Sequence, residues 1–193
     1  MTKLNTPNRL TLLRVVLTPL FLAAMLLPLS HRYLWAALLF CLASATDFLD
    51  GHLARQRNQI TVFGQLLDPV ADKILATAAL LAFMQLGWCN IWAVMLVLTR
   101  EFLITSVRLV AVSQGMVIPA NRWGKAKTVS QMTFTALLLF LADLRNWVPA
   151  LPMSDKAFTL LANVLMWLVA AMTLVSGLTY LSGARKVINF TKD

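Results

Sequence analysis

The sequence predicts an all-α membrane protein: about six transmembrane helices, a short N-terminal interfacial segment and both termini in the cytoplasm. Three observations lead there. Of 193 residues, 59% are hydrophobic and 13% charged, against about 45–50% and about 25% in a soluble globular domain. The mean hydropathy is +0.73, an excess that a chain this short has too little interior to hide. The apolar stretches are long Leu/Ala/Val/Met runs, without the in–out alternation of a lipid-facing barrel strand. At about 20 residues per span, the chain has room for roughly six helices.

The elements follow in order. Thr2–Asn8, with Pro7 near its end, is expected as an interfacial stretch before the first span. Spans are placed near residues 8–29, 33–56, 62–86, 90–114, 126–145 and 157–181. Val15–Ser30 and Tyr33–Thr46 are uncharged and anchor the first two. Ile74–Thr99 is also uncharged, but Gly87-Trp88-Cys89-Asn90 interrupts it with a turn signal that separates the third span from the fourth. Pro69 removes one helix N–H and is expected to bend the third span. Thr128–Ala142 and Ala157–Ala184 are the uncharged hearts of the last two. A single domain over residues 1–193 is expected, with no repeats, low-complexity tracts or soluble module. No secretory signal is expected either: Met1–Arg9 is polar, and the following apolar run lacks a small-residue cleavage site.

Charge sets the sidedness. The formal net charge is +9, which in a soluble protein would point to nucleic acid; here the cations are sorted by side and no nucleic-acid partner is expected. Lys3, Arg9, Arg55, Arg57, Arg122, Lys125, Lys127, Arg185, Lys186 and Lys192 fall on one side, and Arg32, Arg145 and Lys156 on the other. The positive-inside rule then puts both termini and the loops at 55–60 and 115–125 in the cytoplasm. Arg14, Lys73, Arg100 and Arg108 fall inside or near span ends and need another account. Cys41 and Cys89 match no metal spacing and read as buried hydrophobes. His31 and His52 read as lone histidines, and Trp35, Trp88, Trp92 and Trp147 as an interfacial aromatic belt.

The acidic residues are harder to dismiss. Of eight, Asp47, Asp50, Asp68, Asp72 and Glu101 lie within or at the ends of expected spans. Each charge at a bilayer centre costs about 2.5–3.5 kcal/mol even on the lenient insertion scale, so something must compensate them. Asp47 and Asp50 are i, i+3 on one helical face, continued by Gly51 and Ala54, whose small size lets a ligand or backbone approach closely. Asp68 and Asp72 are i, i+4, with Gly64 one turn before. A short cytoplasmic loop makes these two spans antiparallel neighbours, so both acidic pairs fall near one membrane face. Four converging carboxylates are hard oxygen ligands suited to Mg²⁺ or Mn²⁺, with room in charge for two ions. Two other arrangements also compensate the charge: static ion pairs with Arg14, Lys73, Arg100 or Arg108, or a cation path through a small transporter. The outer halves of spans two, three, five and six are almost purely apolar, which argues against the path.

Written out, Asp47-Phe48-Leu49-Asp50-Gly51-His52-Leu53-Ala54-Arg55, eight residues, then Gly64-Gln65-Leu66-Leu67-Asp68-Pro69-Val70-Ala71-Asp72 resembles the CDP-alcohol phosphotransferase signature, D-x2-D-G-x2-A-R-x8-G-x3-D-x3-D. No defined position departs from it. Asn5 through Arg14, Lys73 after Asp72, Arg100-Glu101 followed by Arg108, and Gly124-Lys125-Ala126-Lys127-Thr128 with Gln131 are similar to the bacterial phosphatidylglycerophosphate-synthase branch of that family. The resemblance covers most of the chain and weakens in the last two spans.

The resemblance implies a phosphatidyltransferase of phospholipid biosynthesis in the bacterial cytoplasmic membrane, multi-pass, with its site facing the cytoplasm. It would move a phosphatidyl group from CDP-diacylglycerol to glycerol 3-phosphate and release CMP. It implies Asp47, Asp50, Asp68 and Asp72 as ligands of divalent ions, Mg²⁺ or Mn²⁺, two in number, with Asp72 also the general base. Gly51 and Ala54 would lie against the nucleotide, Arg55 and Thr61 would help hold CDP-diacylglycerol, and Asn8 would cap the same pocket. A phosphorylated acceptor needs cations; Arg108 and Lys125 are the preferred pair, with Lys127 and Arg100 as further candidates. Arg100 pairing with Glu101 is the competing assignment. A homodimer in the lipid bilayer is also implied. Within the family, a CDP-dependent cardiolipin synthase or an inositol-phosphate or serine transferase would share the metal chemistry and differ in acceptor.

Overall fold

The structure, a computed structural model, describes residues 6–57, 62–114, 122–148 and 153–184; the side chains of 6–9, 47–57, 62–69, 72, 113 and 122 are outside that description. Six helices and no strands occur among the described residues: α1 (Thr6–Leu26), α2 (Arg32–Arg57), α3 (Val62–Gln85), α4 (Ile91–Ser113), α5 (Arg122–Trp147) and α6 (Asp155–Ala184). They match the six expected segments in order. Three boundaries differ with consequence. Helix α1 begins at Thr6, so Pro7 sits in its first turn, where a missing N–H costs nothing, and residues 6–8 are helical rather than a separate stretch. Arg55 and Arg57 belong to the end of α2, and Arg122 and Lys125 to the start of α5, rather than to loops. Helix α3 passes through Pro69 without interruption.

The chain divides into two compact units: Met1–Gln85 with Thr135–Ser154, and Leu86–Phe134 with Asp155–Asp193. In the first unit α1 packs on both α2 and α3, and α2 touches α3. The core there is Leu17, Phe21, Ala24 and Met25 from α1, Ala36, Ala37, Phe40 and Ala43 from α2, and Ala71, Leu75, Ala78, Ala79 and Ala82 from α3. Alanines at helical spacing let backbones approach closely, and the larger rings fill what remains; Phe21 and Phe40 meet with centroids 5.8 Å apart.

The second unit opens at the expected turn. Gly87 takes φ +71, a conformation glycine adopts freely, and Asn90 caps α4, its Oδ1 accepting from the Trp92 N–H at 2.8 Å. Trp88 is buried, edge-on to Phe158 at 4.9 Å, and so belongs to the core rather than to an aromatic belt. Helix α4 packs on α6 through Ile104, Ala111, Tyr180 and Ala184. Cys89 is buried as expected, but Cys41 is exposed, on the same outward face of α2 as Leu38 and Leu42. An apolar run has two faces, and only one of them meets the core.

Among the described residues, one helix, α6, is both long and apolar enough to cross a membrane; Leu10–Leu26, Arg32–Thr46 and Lys73–Gln85 are shorter apolar stretches.

Candidate functional site

Helical backbone runs through both acidic pairs. Asp47, Asp50, Gly51, Ala54 and Arg55 lie in the last part of α2, and Asp68 and Asp72 in the first half of α3. The i, i+3 and i, i+4 spacings therefore act as face-sharing pairs on two helices that touch. Their side chains, and that of Asn8, lie outside the described side chains; Thr61 lies outside the described residues altogether. Four carboxylates on two touching helices are a hard-oxygen donor set of the kind Mg²⁺ or Mn²⁺ takes. Among the described side chains no group of three His, Cys, Asp or Glu residues gathers.

Against these helices α1 presents a polar stripe that the sequence flagged only through Arg14. Thr11, Arg14 and Thr18, one face of the helix, are all buried, and the Thr18 hydroxyl donates to the Arg14 carbonyl oxygen at 2.9 Å.

The second unit carries the cations. Arg100 does pair with Glu101: its Nη1 donates to Oε1 at 2.8 Å. Lys127, also a candidate, donates from Nζ to the same oxygen at 2.7 Å. The other arm of Arg100 donates from Nη2 to Ser176 Oγ at 2.6 Å. Arg108 and Lys125 differ from these two. Arg108 is exposed, its guanidinium 5.9 Å from the Tyr180 ring centroid, and Lys125 is exposed on the first turn of α5. That turn holds no acidic residue, so cations crowd the positive end of a helix, an arrangement that favours an anion. The pairs Arg100–Ser176 and Arg108–Tyr180 run in the same order along α4 and α6, which are therefore parallel.

Sequence reasoning missed Glu101 as a shared partner and missed Ser176 altogether. Ser176-Gly177 is one of two Ser-Gly pairs in α6, the other being Ser182-Gly183, so the sequence did not single it out.

It also missed a cluster in the first unit. His31 is not alone: its Nδ1 lies 2.9 Å from Asp143 Oδ2, and its ring stacks on Trp147 at 3.9 Å. Asp143 Oδ1 accepts from the Leu34 N–H at 3.3 Å, so a carboxylate from α5 satisfies a first-turn donor of α2. Outside the membrane-like segments, burial pushes the Cys89 thiol up to about 11.

Residues 4–175 match the family model of the CDP-alcohol phosphatidyltransferases. A Bacillus subtilis (strain 168) protein is 37% identical over 190 residues, covering 92% of this chain and 94% of that protein. One from Escherichia coli (strain K12) is 37% identical over 187 residues, covering 94% and 95%. One from Pseudomonas fluorescens is 35% identical over 187 residues, covering 94% and 90%. Each of these relatives is named CDP-diacylglycerol–glycerol-3-phosphate 3-phosphatidyltransferase.

Proposed function

The chain belongs to the CDP-alcohol phosphatidyltransferase family, and from that premise we propose that it transfers the phosphatidyl group of CDP-diacylglycerol to glycerol 3-phosphate, giving phosphatidylglycerophosphate and CMP. The observation that carries this reading is the complete acidic signature lying on helical α2 and α3, in a chain whose relatives bear that activity in their names.

Asp47, Asp50, Asp68 and Asp72 would hold the divalent ions, two of Mg²⁺ or Mn²⁺. When bound, the ions neutralise charge across the diphosphate and orient in-line attack. Asp72 takes the proton of the acceptor hydroxyl as that oxygen bonds to the lipid phosphorus. The bond from phosphorus to the bridging oxygen breaks, and CMP leaves with its electron pair. Gly51 and Ala54 leave space for the nucleotide on the acidic face of α2, while Arg55, Thr61 and Asn8 help hold CDP-diacylglycerol. Glycerol 3-phosphate carries about two negative charges, and Arg108 and Lys125, with Arg100 and Lys127 behind them, supply the opposing ones.

The same reading makes the chain a multi-pass protein of the bacterial cytoplasmic membrane, acting as a homodimer with its site towards the cytoplasm. One substrate keeps its tails in the bilayer while the other reactants are soluble, so a polar site near one end of the helices serves both. The exposed faces of α4 and α6 support burial in lipid: Ile91, Met95, Phe102, Leu109, Leu160, Leu168 and Leu178 all point outward.

The test is CMP release in liposomes from CDP-diacylglycerol with a panel of acceptors. Glycerol 3-phosphate should be used well ahead of inositol phosphate, phosphatidylglycerol or serine, and EDTA should stop the reaction until Mg²⁺ or Mn²⁺ is restored. Release with another acceptor alone would reassign the substrate; cation flux without CMP release would make the chain a transporter.

A further inference from the structure

Glu101 carries two cations on a single oxygen, Arg100 at 2.8 Å and Lys127 at 2.7 Å. The Lys127 side chain is 4% exposed and that of Glu101 23%. The carboxylate that faces this ammonium offsets the cost of burying it; removing the carboxylate takes that compensation away. Arg100 is fixed at two further points. Its second arm donates to Ser176 Oγ at 2.6 Å, and its stem crosses Gly177 so closely that a Cβ there would sit 3.0 Å from Arg100 Cγ. Its Nε is buried without a hydrogen-bond partner. On the far side of Ser176 lies Gly124, where a Cβ would come within 3.7 Å of the hydroxyl. One carboxylate and one hydroxyl thus tie α4 to the first turns of α5 and to α6.

We propose that Glu101 and Ser176 are positioning residues for recognition of the acceptor's phosphate. Through Arg100 and Lys127 they fix the α4 face that carries Arg108 and the α5 turn that carries Lys125. Arg100 and Lys127 then act as supports, and the two exposed cations meet the phosphomonoester. Glu101 also removes one unit of charge from a group of four cations, which matches the remainder to a small dianion rather than to a polyanion. This inference rests on the reading of the acceptor as glycerol 3-phosphate.

The experiment is steady-state kinetics of CMP release with purified full-length protein, varying each substrate in turn. Glu101→Gln should raise the KM for glycerol 3-phosphate about tenfold, with kcat and the KM for CDP-diacylglycerol within about twofold, as expected when one charged contact is lost from a binding step. Ser176→Ala leaves every charge in place and should raise the same KM about threefold, the loss of one neutral hydrogen bond. The double variant should be no worse than Glu101→Gln alone, because both act through Arg100. An unchanged acceptor KM in either folded single variant overturns the proposal. So does a parallel rise in both KM values with a lowered Tm, which marks a purely structural role. Wild-type protein that releases no CMP with glycerol 3-phosphate rejects the reading of the acceptor, and the inference with it; an active wild type with insensitive variants rejects the inference alone.

Discussion

The two compact units carry opposite chemistry. In the first, α2 and α3 bring four aspartates along two touching helices. In the second, Arg100, Arg108, Lys125 and Lys127 stand on α4 and α5, and Glu101 pairs with Arg100 and Lys127. Carboxylates that share a helical face suit a divalent metal; cations that outnumber their carboxylate suit an anion. The contrast teaches where each half of the proposed reaction would find its ligands: hard oxygens on α2 and α3 for a cation, and a surplus of cations on α4 and α5 for an anion. The transfer proposed for this chain calls on both sets of residues.

The largest effect should come from the acidic side. Asp72→Asn keeps the size of the side chain but removes both a ligand and a base, and CMP release should fall at least about 100-fold, the usual range for a general base. Turnover within a few-fold of wild type would remove Asp72 from the chemistry. On the basic side the double variant Arg108→Ala, Lys125→Ala should raise the acceptor KM by at least about 100-fold, at about 1.5–3 kcal/mol for each charged contact. The KM for CDP-diacylglycerol should stay nearly constant. If both KM values rose together, the division of labour between the units would fail.

How much of this was legible beforehand depends on the distance along the chain. The aspartate pairs are three and four residues apart, so helical periodicity alone puts each on one face. The six helices follow from uncharged runs, and the Gly87–Asn90 turn from its residue types. Pairings across the fold were not legible. Asp143 meets His31 from 112 residues away, and Arg100 meets Ser176 from 76 away; periodicity gives a residue its face but not its partner. Cys41 failed for a related reason. A run that is apolar all round does not say which side meets the core, and Cys41 is on the outward one.

Smaller effects sharpen the contrast between carboxylates. Asp143 serves a histidine and a backbone N–H, and no permanent cation, so Asp143→Ala should lower stability by about 1–2 kcal/mol, the worth of a lost helix cap. Thermal unfolding would read this as a Tm reduced by a few degrees with both KM values unchanged. A changed acceptor KM would show that this carboxylate is not confined to structure. Smallest of all is the effect expected at Cys89. With its thiol pushed up to about 11 by burial, little thiolate exists at pH 8, so alkylation by iodoacetamide should be slow in the native protein. It should quicken as pH rises towards that value. Fast native alkylation of Cys89 at pH 8, located by mass spectrometry, would contradict its burial.

The central claim is that the four aspartates of α2 and α3 together hold divalent ions. Electron paramagnetic resonance of Mn²⁺ titrated into purified protein tests it without relying on turnover. Wild type should take up two ions, and a folded variant with Asp47, Asp50, Asp68 and Asp72 all changed to Asn should take up none. Equal Mn²⁺ uptake by the two proteins would contradict the account.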